Sequence, residues 1–362
     1  MTSEQILRLL AAERRGRALV ERLTPSQGDV WQMEIGSGPD GAALLTAARW
    51  AEILGAKTLI TLANCGGEDP VLALLTESAR RQNQVVEGKS SSGVNRIVTP
   101  GINGVVKEAD IPDAYAAWKS PLATRPEMLA RVSAGSPQLS CAQCRAIDRR
   151  AIEDFAIPGL CLMENAAVAA TVLVLDLLNQ TPGSEPVVVA VGGGNNGGDG
   201  LAVARGLWEL GIEVTVLLLK PPESLGGDAL TNYQILGETT KVKFLNFWDN
   251  PEAITEPVSG ARLIVDALLG TGFRGGLSGA FATAISLINR SGKPVLALDI
   301  PSGLNGDNGT VASTAILASH TITFAAVKNG LTTGSGPSHT GELYLAGIGA
   351  PSAALRLAED SP

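Results

Sequence analysis

The chain has 362 residues, 45% apolar and 18% charged, with a formal net charge of −8. That length suits two domains with sizeable cores, and that composition excludes a disordered or coiled-coil chain. The acidic balance argues against a nucleic-acid or anionic-membrane surface, although helix N-termini still give an acidic chain a place for a dinucleotide.

The 42 glycines follow no three-residue period, which excludes collagen and points to many loops of special geometry. Only His320 and His339 are present, which leaves little material for a His-rich metal site or a Ser-His-Asp triad. Cys141 and Cys144 form one Cys-x-x-Cys without a second ligand pair, at what reads as a helix start, so ordinary thiols are expected. Met1–Arg17 has a helical amphipathic pattern without a signal peptide's unbroken apolar core. Asp176 interrupts the apolar stretch Ala166–Leu178, so a membrane span of roughly 18 residues is not expected, and the expected location is the cytoplasm.

In chain order, a helix over Ile6–Leu23 leads to a strand Val30–Ile35, the turn Gly36-Ser-Gly-Pro-Asp-Gly41, a helix over Ala42–Leu54 and a strand Thr58–Leu62. This is a βαβ pattern with a parallel sheet. Ile97–Val98 and Val105–Val106 are too short to extend that sheet with confidence from pattern alone. Gly88–Gly93 reads as a flexible loop, and the three prolines across residues 119–138 mark a linker. The expected domains are therefore 1–133, a small α/β unit of unknown role expected to dock on the rest or on a second subunit, and 134–355.

The second part is strongly α/β. Helices over Ser140–Phe155 and Cys161–Leu178 precede a buried strand Val187–Val191, a glycine-rich turn and a helix over Gly200–Leu210. Strands Val214–Leu219, Leu263–Leu268, Val295–Asp299, His320–Phe324 and Glu342–Leu345 follow, with helices over Asp228–Leu236 and Gly279–Asn289. The fold class predicted is α/β: a Rossmann-like, doubly wound, mostly parallel sheet. Ile35–Gly41 weakly repeats Val191–Gly200, but the first copy lacks the Asn-Asn pair and is not expected to share its chemistry.

Several strand-end loops carry polar chemistry. Gly192-Gly-Gly-Asn-Asn-Gly-Gly-Asp-Gly200 is built to bring backbone amides close to a phosphate. It satisfies Gly-x-Gly-x-x-Gly, yet Lys220 stands where a dehydrogenase of this type places its ribose-binding acid. Asp266 ends a buried strand before the glycine loop with Arg274, and Asp299-Ile-Pro-Ser-Gly303 ends another. Ligands of open α/β sheets bind outside such strand ends. Singly, a strand-end Asp is often a turn former, Lys328 a solvated turn residue, Asp307 and Asn308 turn chemistry, and Glu164 a helix residue of either face. Their joint occurrence at successive strand ends favours a site.

These pieces resemble a known family. Leu162-Met-Glu-Asn-Ala, Gly194-Asn-Asn-Gly-Gly-Asp-Gly, Val265-Asp-Ala-Leu-Leu-Gly-Thr-Gly, Leu298-Asp-Ile-Pro-Ser-Gly-Leu, Thr323-Phe with Lys328, and Ile348-Gly occur in the order and spacing of the YjeF N-terminal domain family, the NAD(P)H-hydrate epimerases. The resemblance covers about residues 139–351; it departs at Gly193 and near Val327, where the family usually has Pro. It implies an isomerase that interconverts the R and S epimers of hydrated NADH and NADPH, working beside a separate ADP- or ATP-dependent dehydratase, with a homodimer expected. It implies substrate contacts at Asn195, Asn196, Gly197, Gly198 and Asp199, at Gly270, Thr271, Gly272, Phe273, Arg274, Gly275 and Gly276, and at Asp299. It also implies one potassium ion held by Asn196, Asp266 and Ser302, an oxygen donor set suited to a hard cation. Asp299 is the expected acid/base, with Lys328 or Asp266 as the next choices. The alternative is a non-catalytic binding or scaffold protein that keeps this fold.

Overall fold

The computed structural model describes residues 3–23, 30–35, 39–53, 57–62, 70–81, 85–86, 96–98, 105–106 and 129–359, without 134, 135, 137, 181, 182, 274, 275, 278 and 312. The expected linker and the Gly88–Gly93 loop lie largely or wholly outside the described residues, as do Ala63–Cys65.

Two compact units interleave along the chain. One comprises Met1–Glu127, Ala146–Asn165 and Gly349–Pro362; the other comprises Met128–Arg145 and Ala166–Ile348. A single boundary at 133/134 does not reproduce this division, because two later segments cluster with the N-terminal residues.

In the first unit α1 (Ser3–Leu23), β1 (Val30–Ile35), α2 (Pro39–Ile53) and β2 (Lys57–Leu62) form the expected alternation, and a further helix, α3 (Pro70–Arg81), follows that the pattern does not predict. The sheet has five strands, not two: β3 (Val85–Val86), β4 (Arg96–Val98) and β5 (Val105–Val106) complete the order β3-β2-β1-β4-β5. β1, β2 and β3 run parallel, while β4 joins antiparallel to β1 and to β5. The short strands are held by register rather than by length, which is why propensity alone misses them. Helices α1 and α2 cross at Gly16, where a Cβ would stand 2.5 Å from the Thr46 Cβ. Leu9, Leu10, Leu19, Leu44, Ala47 and Trp50 fill this core.

The second unit is built on an eight-stranded sheet. β6 (Leu129–Arg131) is its antiparallel edge, and β7 (Gln138–Leu139) pairs elsewhere with β14 (Val327–Lys328). Helices α4 (Cys141–Glu153) and α5 (Gly159–Gln180) have residues in both units. The remaining strands are β8 (Val187–Val191), β9 (Val214–Leu218), β10 (Lys243–Asn246), β11 (Leu263–Ala267), β12 (Val295–Leu298), β13 (His320–Phe324) and β15 (Glu342–Ala346), in the order β10-β9-β8-β11-β12-β13-β15-β6. All but β6 are parallel. β8, β9 and β11 are buried at every position; β8 is an uninterrupted apolar run, while β9 and β11 each bury one polar residue, Thr215 and Asp266. Strand order reverses between β8 and β11, the switch point at which ligands of doubly wound sheets sit.

Asp176 does not break α5. Gly159–Gln180 is one continuous helix, long and apolar enough by composition to cross a membrane, and 78% of its most apolar window is buried within the protein. That burial is the signature of a core helix.

Candidate active site

The loop after β8 is shaped by contacts that only glycine permits. A Cβ on Gly192 would lie 1.8 Å from the Leu268 carbonyl oxygen, and one on Gly200 would lie 2.5 Å from the Ala267 Cβ. The loop and the following helix therefore press on the end of β11. That helix, α6 (Asn195–Glu209), starts five residues earlier than the pattern predicts, because the glycine turn itself becomes the first helical turn. Gly194 caps it without any side-chain hydrogen bond. The amides of Asn195, Asn196 and Gly197 thus have no intrahelical acceptor, a local positive end. A Cβ on Gly194 would meet nothing within 4 Å, so this end faces open space.

Asp266 sits on β11 and is wholly buried. Its Oδ1 accepts from the Ser302 hydroxyl (2.7 Å) and the Leu268 amide (3.2 Å), and its Oδ2 accepts from the Ser302 amide (2.8 Å). Burial nevertheless outweighs these hydrogen bonds and pushes the carboxyl up to about 6. The Leu269 peptide joins this group to Asn196: its N–H donates to Ser302 Oγ (2.9 Å), and its carbonyl accepts from Asn196 Nδ2 (2.9 Å). Asn196 Oδ1 is buried with no hydrogen-bond partner.

Asp299 follows β12 with φ +64°, a left-handed conformation that is uncommon for a residue with a side chain. Strain of this kind gathers at functional sites. Its Oδ1 pairs with Lys328 Nζ at 2.5 Å, and its Oδ2 accepts from the Thr271 amide at 3.2 Å. Lys328 is not a solvated turn residue: it is 2% exposed, and it donates to Thr323 Oγ1 (3.0 Å) and the Phe324 carbonyl (2.8 Å). A Cβ on Gly270 would stand 3.1 Å from both Asn196 Cβ and Asp299 Oδ2, so three strand-end loops meet there.

The structure thus gathers Asn196, Asp266, Ser302, Gly270, Thr271, Asp299 and Lys328. Asn195 is exposed at the helix end and Asp199 half-buried on its first turns, while Gly272, Phe273 and Gly276 continue the loop. Arg274 and Gly275 lie outside the described residues. Lys220 is exposed beyond β9, next to Gly193. Glu164 is buried and paired with Arg14 at 3.2 Å in the first unit. Asp307 does more than shape its turn: Oδ1 accepts from the Cys141 amide at 2.6 Å and caps α4. Asn308, by contrast, serves the turn through Thr310. Among the described residues, Cys141, Cys144 and Cys161 are buried and none is in a disulfide. Sequence reasoning missed Arg145, whose Nη1 donates to the Thr271 carbonyl at 2.6 Å. Nothing in a helix-surface arginine signals such a contact.

A doubly wound sheet with an open helix end, two strand-end carboxylates and a buried lysine gathered outside its strand ends has the arrangement in which α/β proteins of this class bind ligands. Residues 159–330 match the family described as YjeF-related protein N-terminus. A Rhodopirellula baltica protein named NAD(P)H-hydrate epimerase is 39% identical over 220 residues, covering 61% of this chain and 87% of that one. A Pirellula staleyi protein of the same name is also 39% identical over 220 residues, covering 60% and 95%. A Moorella thermoacetica protein named bifunctional NAD(P)H-hydrate repair enzyme Nnr is 38% identical, and this chain spans only 40% of it. Among solved structures, the crystal structure of a yeast protein aligns at a TM-score of 0.48 and 22% identity, covering 54% of this chain and 82% of that one. The chain belongs to the YjeF N-terminal, NAD(P)H-hydrate epimerase family.

Proposed function

We propose that the protein is an isomerase that interconverts the R and S epimers of hydrated NADH and NADPH. The observation that carries this reading is the Asp299–Lys328 pair beside the uncapped N-terminus of α6, in a chain 39% identical to named epimerases. The open helix end suits the dinucleotide phosphates, and Gly270, Gly272 and Gly276 suit close approach of the backbone. The reacting carbon bears a hydroxyl and the ring nitrogen. It loses its configuration either by ring opening or by departure of the hydroxyl as water. Both paths move one proton off and one proton on, without net redox change. Asp299 takes and returns that proton, and Lys328 holds the carboxylate in place.

A potassium ion fits the neighbouring residues. Asn196 Oδ1 is a buried oxygen without a partner, and Ser302 Oγ and the Asp266 carboxylate retain lone pairs. Among the described residues no group of three His, Cys, Asp or Glu side chains offers a transition-metal site. Asn196, Asp266 and Ser302 would hold the ion, which when bound supplies positive charge that joins the ends of α6, β11 and β12. A separate ADP- or ATP-dependent dehydratase consumes one epimer, in line with bifunctional relatives named as repair enzymes. We place this activity in the cytoplasm and expect a homodimer.

The direct test is incubation of the purified R epimer of hydrated NADH with the protein. Appearance of the S epimer at a rate proportional to enzyme supports the reading. An R epimer that inverts no faster than in buffer overturns it.

A further inference from the structure

We infer that Arg145 is a positioning residue for Asp299, acting through the Thr271 peptide; this rests on the epimerase reading above. Thr271 is gripped from both sides: its N–H donates to Asp299 Oδ2 and its carbonyl accepts from Arg145 Nη1. Past Leu269 and Gly270, the described residues of this loop offer Thr271 little else to fix it. Thr271 lies between Gly270 and Gly272, and a Cβ on Gly272 would meet nothing within 4 Å. Glycines on both sides leave the backbone free to take many conformations. Apart from the turn bond from Phe273 N to the Gly270 carbonyl at 3.0 Å, the described hydrogen bonds at Thr271 are those to Arg145 and Asp299.

The helix that carries Arg145 is itself tied to the same region. One turn earlier, the Cys141 amide is capped by Asp307, and the Cys141 side chain packs with Ile300 and Leu304 just past Asp299. Arg145 is half-buried, so its bond to the carbonyl is partly shielded from water. A charged donor on a carbonyl is stronger than a neutral one, and the planar guanidinium holds a fixed direction. Arg145 thereby sets where the Thr271 amide points, and the amide sets where Asp299 Oδ2 points.

The test compares Arg145→Gln and Arg145→Lys with the full-length wild type, and uses Arg149→Gln, an exposed residue of the same helix, as control. Displacing a reacting group by about 1 Å costs up to roughly a hundredfold, so Arg145→Gln should lower kcat by about tenfold to a hundredfold with little change in KM. Arg145→Lys should recover most of kcat, and Arg149→Gln should leave it unchanged. Hydrogen exchange of the segment containing Thr271 should quicken in Arg145→Gln and not in Arg149→Gln. A rise in KM at unchanged kcat would instead make Arg145 a substrate contact and overturn the inference. So would exchange at the wild-type rate in Arg145→Gln. If the wild type fails to epimerise, the functional reading falls, and the exchange measurement alone decides the role of Arg145.

Discussion

Asp299 and Lys328 meet at 2.5 Å although they stand at the ends of different strands, and the lysine is the more buried of the two. Thr323 Oγ1 and the Phe324 carbonyl occupy two of the lysine's donors, so the ammonium is held as rigidly as the strand that carries them. The carboxylate is left with one oxygen fixed by the cation and one by a loop amide. Such a group is preorganised before substrate arrives.

Asp299→Asn keeps the size of this side chain but removes its basicity. Epimerisation should fall by about a hundredfold or more, within the range that general acid/base groups contribute. Circular dichroism and thermal melting should show an intact fold. Turnover at the wild-type rate would move the proton transfer to another residue.

The cation proposal predicts a dependence on ion size. Replacing potassium with tetramethylammonium should lower Tm and activity, because an ion that binds the folded state stabilises it by mass action. Asn196→Ala removes the unpartnered oxygen and should abolish the difference between the two salts. Identical melting of the wild type in both would argue against a bound ion.

Asp266 gives stability a pH dependence of defined sign when no cation is bound. Its folded value of about 6 lies above that of an unfolded aspartate, so the folded chain holds the proton more tightly. The favourable contribution is full below about pH 4 and is lost as pH rises through about 6, roughly 3 kcal/mol in all. Urea unfolding in tetramethylammonium at pH 4.5 and 7 should show wild type losing more stability on this rise than Asp266→Asn. Equal changes in the two proteins would contradict the assignment.

Much of the second unit is legible in its sequence, because buried parallel strands are continuous apolar runs bounded by glycine. Val187–Val191 is found as expected, and Leu263–Leu268 to within one residue. The expectation fails where geometry replaces pattern. The pattern does not predict β6 or β10: β10 is only partly buried, and β6 finds its place at the edge of the sheet by antiparallel pairing with β15. The role of Lys328 is likewise invisible locally, since its partner Asp299 is remote in sequence. The charged cluster of the first unit is a further case: Glu13 accepts from Asn165 Nδ2 at 2.6 Å and pairs with Arg49, residues that no single-helix pattern brings together.

That cluster ties α1 to Glu164 and Asn165. Without residues 1–127, Glu164 loses Arg14, and Asn165 loses both Glu13 and the Arg17 guanidinium on its carbonyl. Breaking buried charge pairs from one side typically costs about 3–5 kcal/mol each. A fragment of residues 135–362 should therefore aggregate or melt far below the full chain. A soluble fragment with full activity and unchanged Tm would show that the N-terminal segment is an independent module.

Clearance of both epimers is the most direct test of epimerase activity. An equal mixture of R and S hydrated NADH is given an S-specific dehydratase with its nucleotide, with and without this protein. The dehydratase alone should stop when the S form is spent, and adding the protein should carry consumption to completion. Loss of the S form only, in the presence of folded protein and potassium, would show that the protein does not epimerise hydrated NADH.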